Sequence, residues 1–174
     1  MVSKFFRIFI VLIYFMTALN AYGLENLPKH GDIAVLVEGP EEHVRRVETF
    51  IIKTLRSKGY RVVDEAKMKK IRKAAAQALA DKYILYGEKH RLFSINSKYS
   101  VAATIMASIT PEQSRENSFK LFTATASATV TAILPNGVKL GGETSASKQV
   151  GYTEGEAMRK AVDESIKNSL NQIL

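Results

Sequence analysis

The feature that most limits what this chain can become is a run of thirteen residues with a period of two. Phe122, Ala124, Ala126, Ala128, Val130, Ala132 and Leu134 alternate with Thr123, Thr125, Ser127, Thr129, Thr131 and Ile133. That period places every second side chain on one face, so the run is a strand, and at about 3.3 Å per residue it extends some 40 Å. Pro135-Asn136-Gly137 follows as a tight hairpin turn, because Asn-Gly tolerates the positive φ that such turns require. Val138 to Val150 returns as the antiparallel partner, with Gly141-Gly142 marking a bulge or a close approach. Upstream, Val101, Ala103, Ile105, Ala107 and Ile109 share one face of a further strand, and Pro111 to Asn117 reads as a polar connection. The small residues of the hairpin admit another sheet or helix at close range. A helix of the same chain is the simplest cover, and an unprotected edge is where a partner's strand can add.

The rest of the chain supplies helices for that sheet. Ile33-Ala34-Val35-Leu36-Val37, bounded by Gly31 and Gly39-Pro40, suits a strand buried on both faces. Pro40 at a first-turn position, with Glu41 and Glu42 beside it, opens a helix whose Val44, Val47, Ile51 and Leu55 share a face until Lys58-Gly59 stops it. Tyr60 to Asp64 then forms a second strand, parallel to the first through the crossover. Ala66 to about Lys82 is an amphipathic helix with Met68, Ile71, Ala75 and Leu79 on one side and Lys69, Lys70 and Lys73 on the other. The stretch from Tyr83 to Lys98 fits either helix or strand. Thr153-x-x-Glu156 is a capping box, and Met158, Ala161, Val162, Ile166, Leu170 and Ile173 form the apolar stripe of a last helix. The expected fold is a single α/β (α+β) domain over residues 24–174. It has a mixed sheet of about five strands, one parallel crossover unit, a long antiparallel hairpin, and helices packed on the sheet.

Residues 1–23 carry Lys4 and Arg7, an apolar run from Ile8 to Leu19, and Ala21-Tyr22-Gly23, the pattern of a secretory signal peptide. The run is shorter than the roughly 20 residues a membrane-spanning helix needs. The sequence has no Cys, which removes thiol chemistry, zinc ribbons and acylation at a Cys together. These features give the expectation of an exported, periplasmic protein that is not a lipoprotein. Of the 25 Lys and Arg against 17 Asp and Glu, the excess concentrates between Arg45 and Lys73. The partner-binding candidates there are Arg46, Lys53, Arg56, Lys69, Lys70 and Lys73. Outside the cytoplasm the anionic surfaces are lipid headgroups, wall polymers and acidic proteins, so nucleic acid is not an expected partner.

Catalytic signatures are sparse. His30, His43 and His90 show no metal-ligand spacing and read as exposed or half-buried imidazoles, so no metal or cofactor is expected. There is no nucleophile elbow around Ser145 or Ser147, and Gly141-Gly142 lacks the Lys-Ser/Thr of a phosphate loop. Glu41, Glu42, Asp64 and Glu65 sit at strand and helix junctions. A glycan or wall-polymer hydrolase using Glu42 and Asp64 stands as the enzymatic alternative, and helix-start charge complementarity as the structural one.

The order of elements, with Gly59-Tyr60-Arg61-Val62-Val63-Asp64 and the Ala-spaced helix from Thr153 to Leu174, resembles a bacterial envelope-assembly group. That group includes the TolB amino-terminal domain, CsgG, LpoB and the middle domain of flagellar assembly protein T. The resemblance implies a non-enzymatic assembly or accessory protein that binds other envelope proteins, outer-membrane or secretion components among them, with no catalytic residues carried over. Binding of anionic lipid or wall polymer through the basic helices, and a homo-oligomer, are the alternatives it leaves open.

Overall fold

A computed structural model describes residues 27–80 and 96–174; the signal peptide expected over 1–23, His90 and the ambiguous stretch up to residue 95 lie outside the described residues. The strands are β1 (Asp32–Glu38), β2 (Arg61–Val62), β3 (Ala103–Glu116), β4 (Phe122–Ile133) and β5 (Lys139–Gly151), and the helices are α1 (Glu41–Ser57), α2 (Glu65–Ala80) and α3 (Glu154–Asn171). Five strands form one mixed sheet in the order β2-β1-β3-β4-β5. β1 runs parallel to both β2 and β3, whereas β3, β4 and β5 form an antiparallel meander. This is the expected single-domain α+β architecture.

Register explains the core. Val35 pairs with Ile105 and Ile105 with Ala132, so one face carries Ile33, Val35, Ala103, Ile105, Ala107, Ala128, Val130 and Ala132, all buried. α3 lies across β3, β4 and β5, and α1 lies against β1, β2 and α3. The Ala side chains of β4 bring α3 close enough for the Ser169 hydroxyl to donate to the Ala128 carbonyl at 2.7 Å. A helix of the same chain therefore covers this side of the hairpin. On the reverse face Ala34 and Thr104 are also fully buried, which explains the unbroken apolar run of β1. There Asn96, itself buried, accepts from the Thr104 hydroxyl and donates to the Ile133 carbonyl at 3.3 Å.

Two bulges keep the meander in phase with that core. Between Thr129 and Thr131, β5 spends one extra residue, with Gly141 and Gly142 at positive φ. Leu140 therefore faces the helices, and so do Ser147 and Gly151 beyond the bulge, although their numbers differ in parity. The second bulge, between Pro111 and Ser114, lets β3 continue to Glu116, where the sequence suggested a polar connection. β1 has ended by Ser108, so this part of β3 lies on a sheet edge, which Pro tolerates and where no apolar alternation is needed.

Other differences are local. α1 begins at Glu41 with Pro40 as its flanking residue, and β2 holds only two residues. His43, expected at or near the surface, is buried because positions 43, 47, 51 and 55 form the inward stripe. α1 ends as the sequence implies: Gly59 at φ 85 donates to Arg56 O and Tyr60 donates to Leu55 O, both at 3.0 Å, the paired bonds of a glycine-terminated helix. In the capping box Glu156 N donates to Thr153 Oγ1 at 3.1 Å, but the Glu156 carboxylate reaches one residue further back, to the Tyr152 amide at 2.9 Å.

Candidate docking surface

The reverse face of the meander is a field of hydroxyls. Pairing aligns Ser108 with Thr129 and Thr129 with Thr144, and in the next row Thr110 with Ser127 and Ser127 with Ala146. The residues from β3 and β5 in these rows are exposed, and those from the central strand β4 are half-buried. The hydroxyls of Thr129 and Thr144 lie 2.6 Å apart, so each takes part of its hydrogen bonding from its cross-strand neighbour. Alternation forces this arrangement: once Ala126, Ala128 and Val130 turn toward α3, Thr125, Ser127, Thr129 and Thr131 must turn away. Lys148 and Val150 continue the face on β5, both exposed. A hydroxylated sheet face offers donors and acceptors to another macromolecule.

The basic residues divide into two sets. Lys69, Lys70 and Lys73 stand exposed on α2, opposite buried Met68, Ile71 and Ala75, and Lys53 and Arg56 are exposed on α1. None of these five forms an ion pair among the described residues. Arg46 does: it bonds Asp163 and joins α1 to α3, so its charge is committed within the fold. Arg72, not singled out from sequence, joins α2 to α1 by pairing with Glu48, and it also reaches Glu65 at 3.1 Å. Partial burial works against the Arg72 charge, but hydrogen bonds to Glu48 and Glu65 outweigh it, so its proton is held more tightly than usual.

The junction carboxylates have structural partners. Asp64 accepts from the Lys67 amide at 2.8 Å and caps α2, Glu65 pairs with Arg72, and Glu42 lies 3.3 Å from His43 Nε2. Asp32 gathers Arg61 at 3.0 Å and Lys67 at 3.4 Å. Among the described residues no group of three or more His, Asp and Glu could hold a metal ion, and no helix is long and apolar enough to cross a membrane.

Sequence reasoning missed the far end of the sheet. Phe119 is 81% exposed and Tyr152 79%. They flank the paired residues Phe122 and Gly151, so both emerge where β4 begins and β5 ends. Neither belongs to a periodic segment. Their one signal was a large aromatic among polar turn residues.

A family model described as the TP0693-like lipoprotein C-terminal domain matches residues 42–168, which run from the first turn of α1 to the last turn of α3. The chain belongs to this family. A TP0693-like domain is that of a lipoprotein family, which overturns the expectation of a periplasmic protein that is not a lipoprotein. That expectation argued from one missing residue type to the class of the whole protein, whereas the match rests on the folded domain. The structure of lipoprotein GNA1162 from Neisseria meningitidis superposes on the TP0693-like chain with a TM-score of 0.54 at 15% identity, over 82% of this chain and 99% of that one, which shows a shared fold. The PelC dodecamer from Paraburkholderia phytofirmans gives a TM-score of 0.44 at 11% identity, over 85% and 92%. The LpoB C-terminal domain from Escherichia coli gives 0.41 at 13% identity, over 77% and 96%. Kinship with the TolB amino-terminal domain, CsgG and the flagellar protein is not shown by these comparisons. A comparison with curated proteins finds no significant match.

Proposed function

We propose that this TP0693-like protein is a non-enzymatic accessory protein of the cell envelope that docks other envelope proteins. The observation that carries the reading is the hydroxyl-lined face of β3, β4 and β5, whose residues on both flanking strands stay exposed after α3 has covered the other side. The five cations of α1 and α2 that have no ion-pair partner among the described residues add electrostatic steering toward an acidic partner, which raises encounter rates more than final affinity. Membership in a lipoprotein family supports an envelope setting.

Site-specific photocrosslinking tests this. A crosslinker at Ser127 or Thr125 should capture a discrete protein in stoichiometric yield from envelope extracts. A probe on the covered side, at Ala128, should capture nothing. Failure to capture a partner from either open-face position sinks the reading. Replacing Lys69, Lys70 and Lys73 by Gln should slow association several-fold at low salt and have little effect at about 1 M salt, where charges more than about 3 Å apart are screened. A second reading, binding of wall polymer or anionic lipid through α2, is favoured by the exposure of these same three lysines. In that case the Lys variant would abolish sedimentation with purified polymer or lipid, and the crosslinker on the sheet would stay silent.

A further inference from the structure

The end of the sheet at the β3–β4 turn presents the two most exposed large apolar side chains of the described residues, Phe119 and Tyr152, with Val150 close behind at 45% exposure. The turn is built to hold Phe119 outward. Asn117 N donates to Leu121 O at 2.8 Å and Lys120 N to Asn117 O at 3.0 Å, while the Asn117 side chain accepts from the Phe119 and Leu121 amides. Lys120 sits at φ 57, so the position after the aromatic carries a cation where glycine would fit the backbone better. Lys148, exposed on β5 two residues before Val150, adds a second cation near the same end.

We propose that this tip contacts the interfacial region of an anionic phospholipid bilayer, with Phe119 and Tyr152 seated among the headgroups and Lys120 and Lys148 facing their phosphates. Two aromatic side chains bury about 150–250 Å² each, well short of the roughly 800 Å² per partner that a stable protein interface takes. A narrow, convex turn suits shallow insertion better than complementary packing. A tyrosine ring with a wet hydroxyl end is at home at the membrane–water boundary, and lysines near an anionic surface are drawn to it within a Debye length. Membership in a lipoprotein family places such a surface within reach. The contact is weak on its own, so it orients the domain more than it recruits it. It shares Lys148 and Val150 with the margin of the protein-docking face, and the two readings separate because the crosslinkers sit at Thr125 and Ser127 and the fluorophore at Phe119.

The chain contains no Trp, so one introduced indole reports from a single place. In the full chain, Phe119→Trp should shift its emission to the blue on addition of phosphatidylethanolamine–phosphatidylglycerol vesicles and be quenched by brominated acyl chains. Val138→Trp, at the opposite hairpin end, should do neither. Changing Lys120 and Lys148 to Gln should raise the lipid concentration needed for half the shift by roughly five-fold per lysine at low salt. The proposal is overturned if the protein sediments with vesicles while Phe119→Trp emission stays unchanged, or if the quencher reaches both reporters alike. A blue shift that appears on raising protein concentration without lipid would assign the tip to a second copy of the chain, and equally overturns it.

Discussion

At the scale of single residues the two hairpin turns make a controlled pair. Leu134 O accepts from Gly137 N at 2.9 Å and Asn117 O accepts from Lys120 N at 3.0 Å, and each donor residue lies at positive φ. One position holds glycine and the other lysine. Lys120→Gly should therefore stabilise the fold by about 0.5–1 kcal/mol, and Gly137→Lys should destabilise it by a similar amount, read from denaturant midpoints. The capping box gives a second prediction, in pH. The Glu156 carboxylate accepts from Lys160 at 2.8 Å and from the Tyr152 amide, and these bonds hold its pKa below the ordinary glutamate value. The unfolded chain then binds the proton more readily, so this contribution is complete above the unfolded value of about 4.3 and is lost as pH falls through the lower folded one. The gap in thermal midpoint between the protein and Glu156→Gln should be full at neutral pH and close in acid.

At the scale of elements, packing of α3 on β5 depends on glycines whose missing side chains are the contact. A Cβ on Gly151 would stand 2.6 Å from the backbone nitrogen of Ala157, and one on Gly141 would stand 1.8 Å from a methyl of Ile173. Gly151→Ala should cost about 1–3 kcal/mol with no simple rescue, since helix backbone must move. Gly141→Ala also clashes, but Ile173→Ala should recover the steric share and leave the cost of the backbone at φ 68, which a double-mutant cycle separates. These elements also show how far the sequence could be read. β4 was legible because its alternation records one buried and one open face, and α1 and α3 because their stops and caps are local chemistry. The end of β3 was not, since from Pro111 to Glu116 it has little to bury, and a strand without a buried face has no period. His43 escaped for a related reason: one polar residue in an apolar stripe resembles the edge of that stripe.

At the scale of the whole molecule, the exposed cations of α2 were legible as a helix face, but a pattern of exposure does not say what a face meets. The committed charge of Arg46 was invisible, because Asp163 lies over a hundred positions away and only the fold brings the two together. The Arg46–Asp163 and Arg72–Glu48 pairs tie the three helices to one another. Arg72→Ala should leave half-buried Glu48 without its cation and cost about 1 kcal/mol, with a loss of protection in α2 by hydrogen exchange before α3 is affected.

The glycine pair in β5 has a consequence for the chain's evolution. Losing one of the two glycines would remove the bulge and leave a plain strand in which Leu140 and Ser147 still face α3, whereas losing a residue from the regular stretch between Ser145 and Val150 would turn part of the strand over. Loss of a single residue is therefore tolerable at the bulge and forbidden in the regular stretch of β5 that follows it.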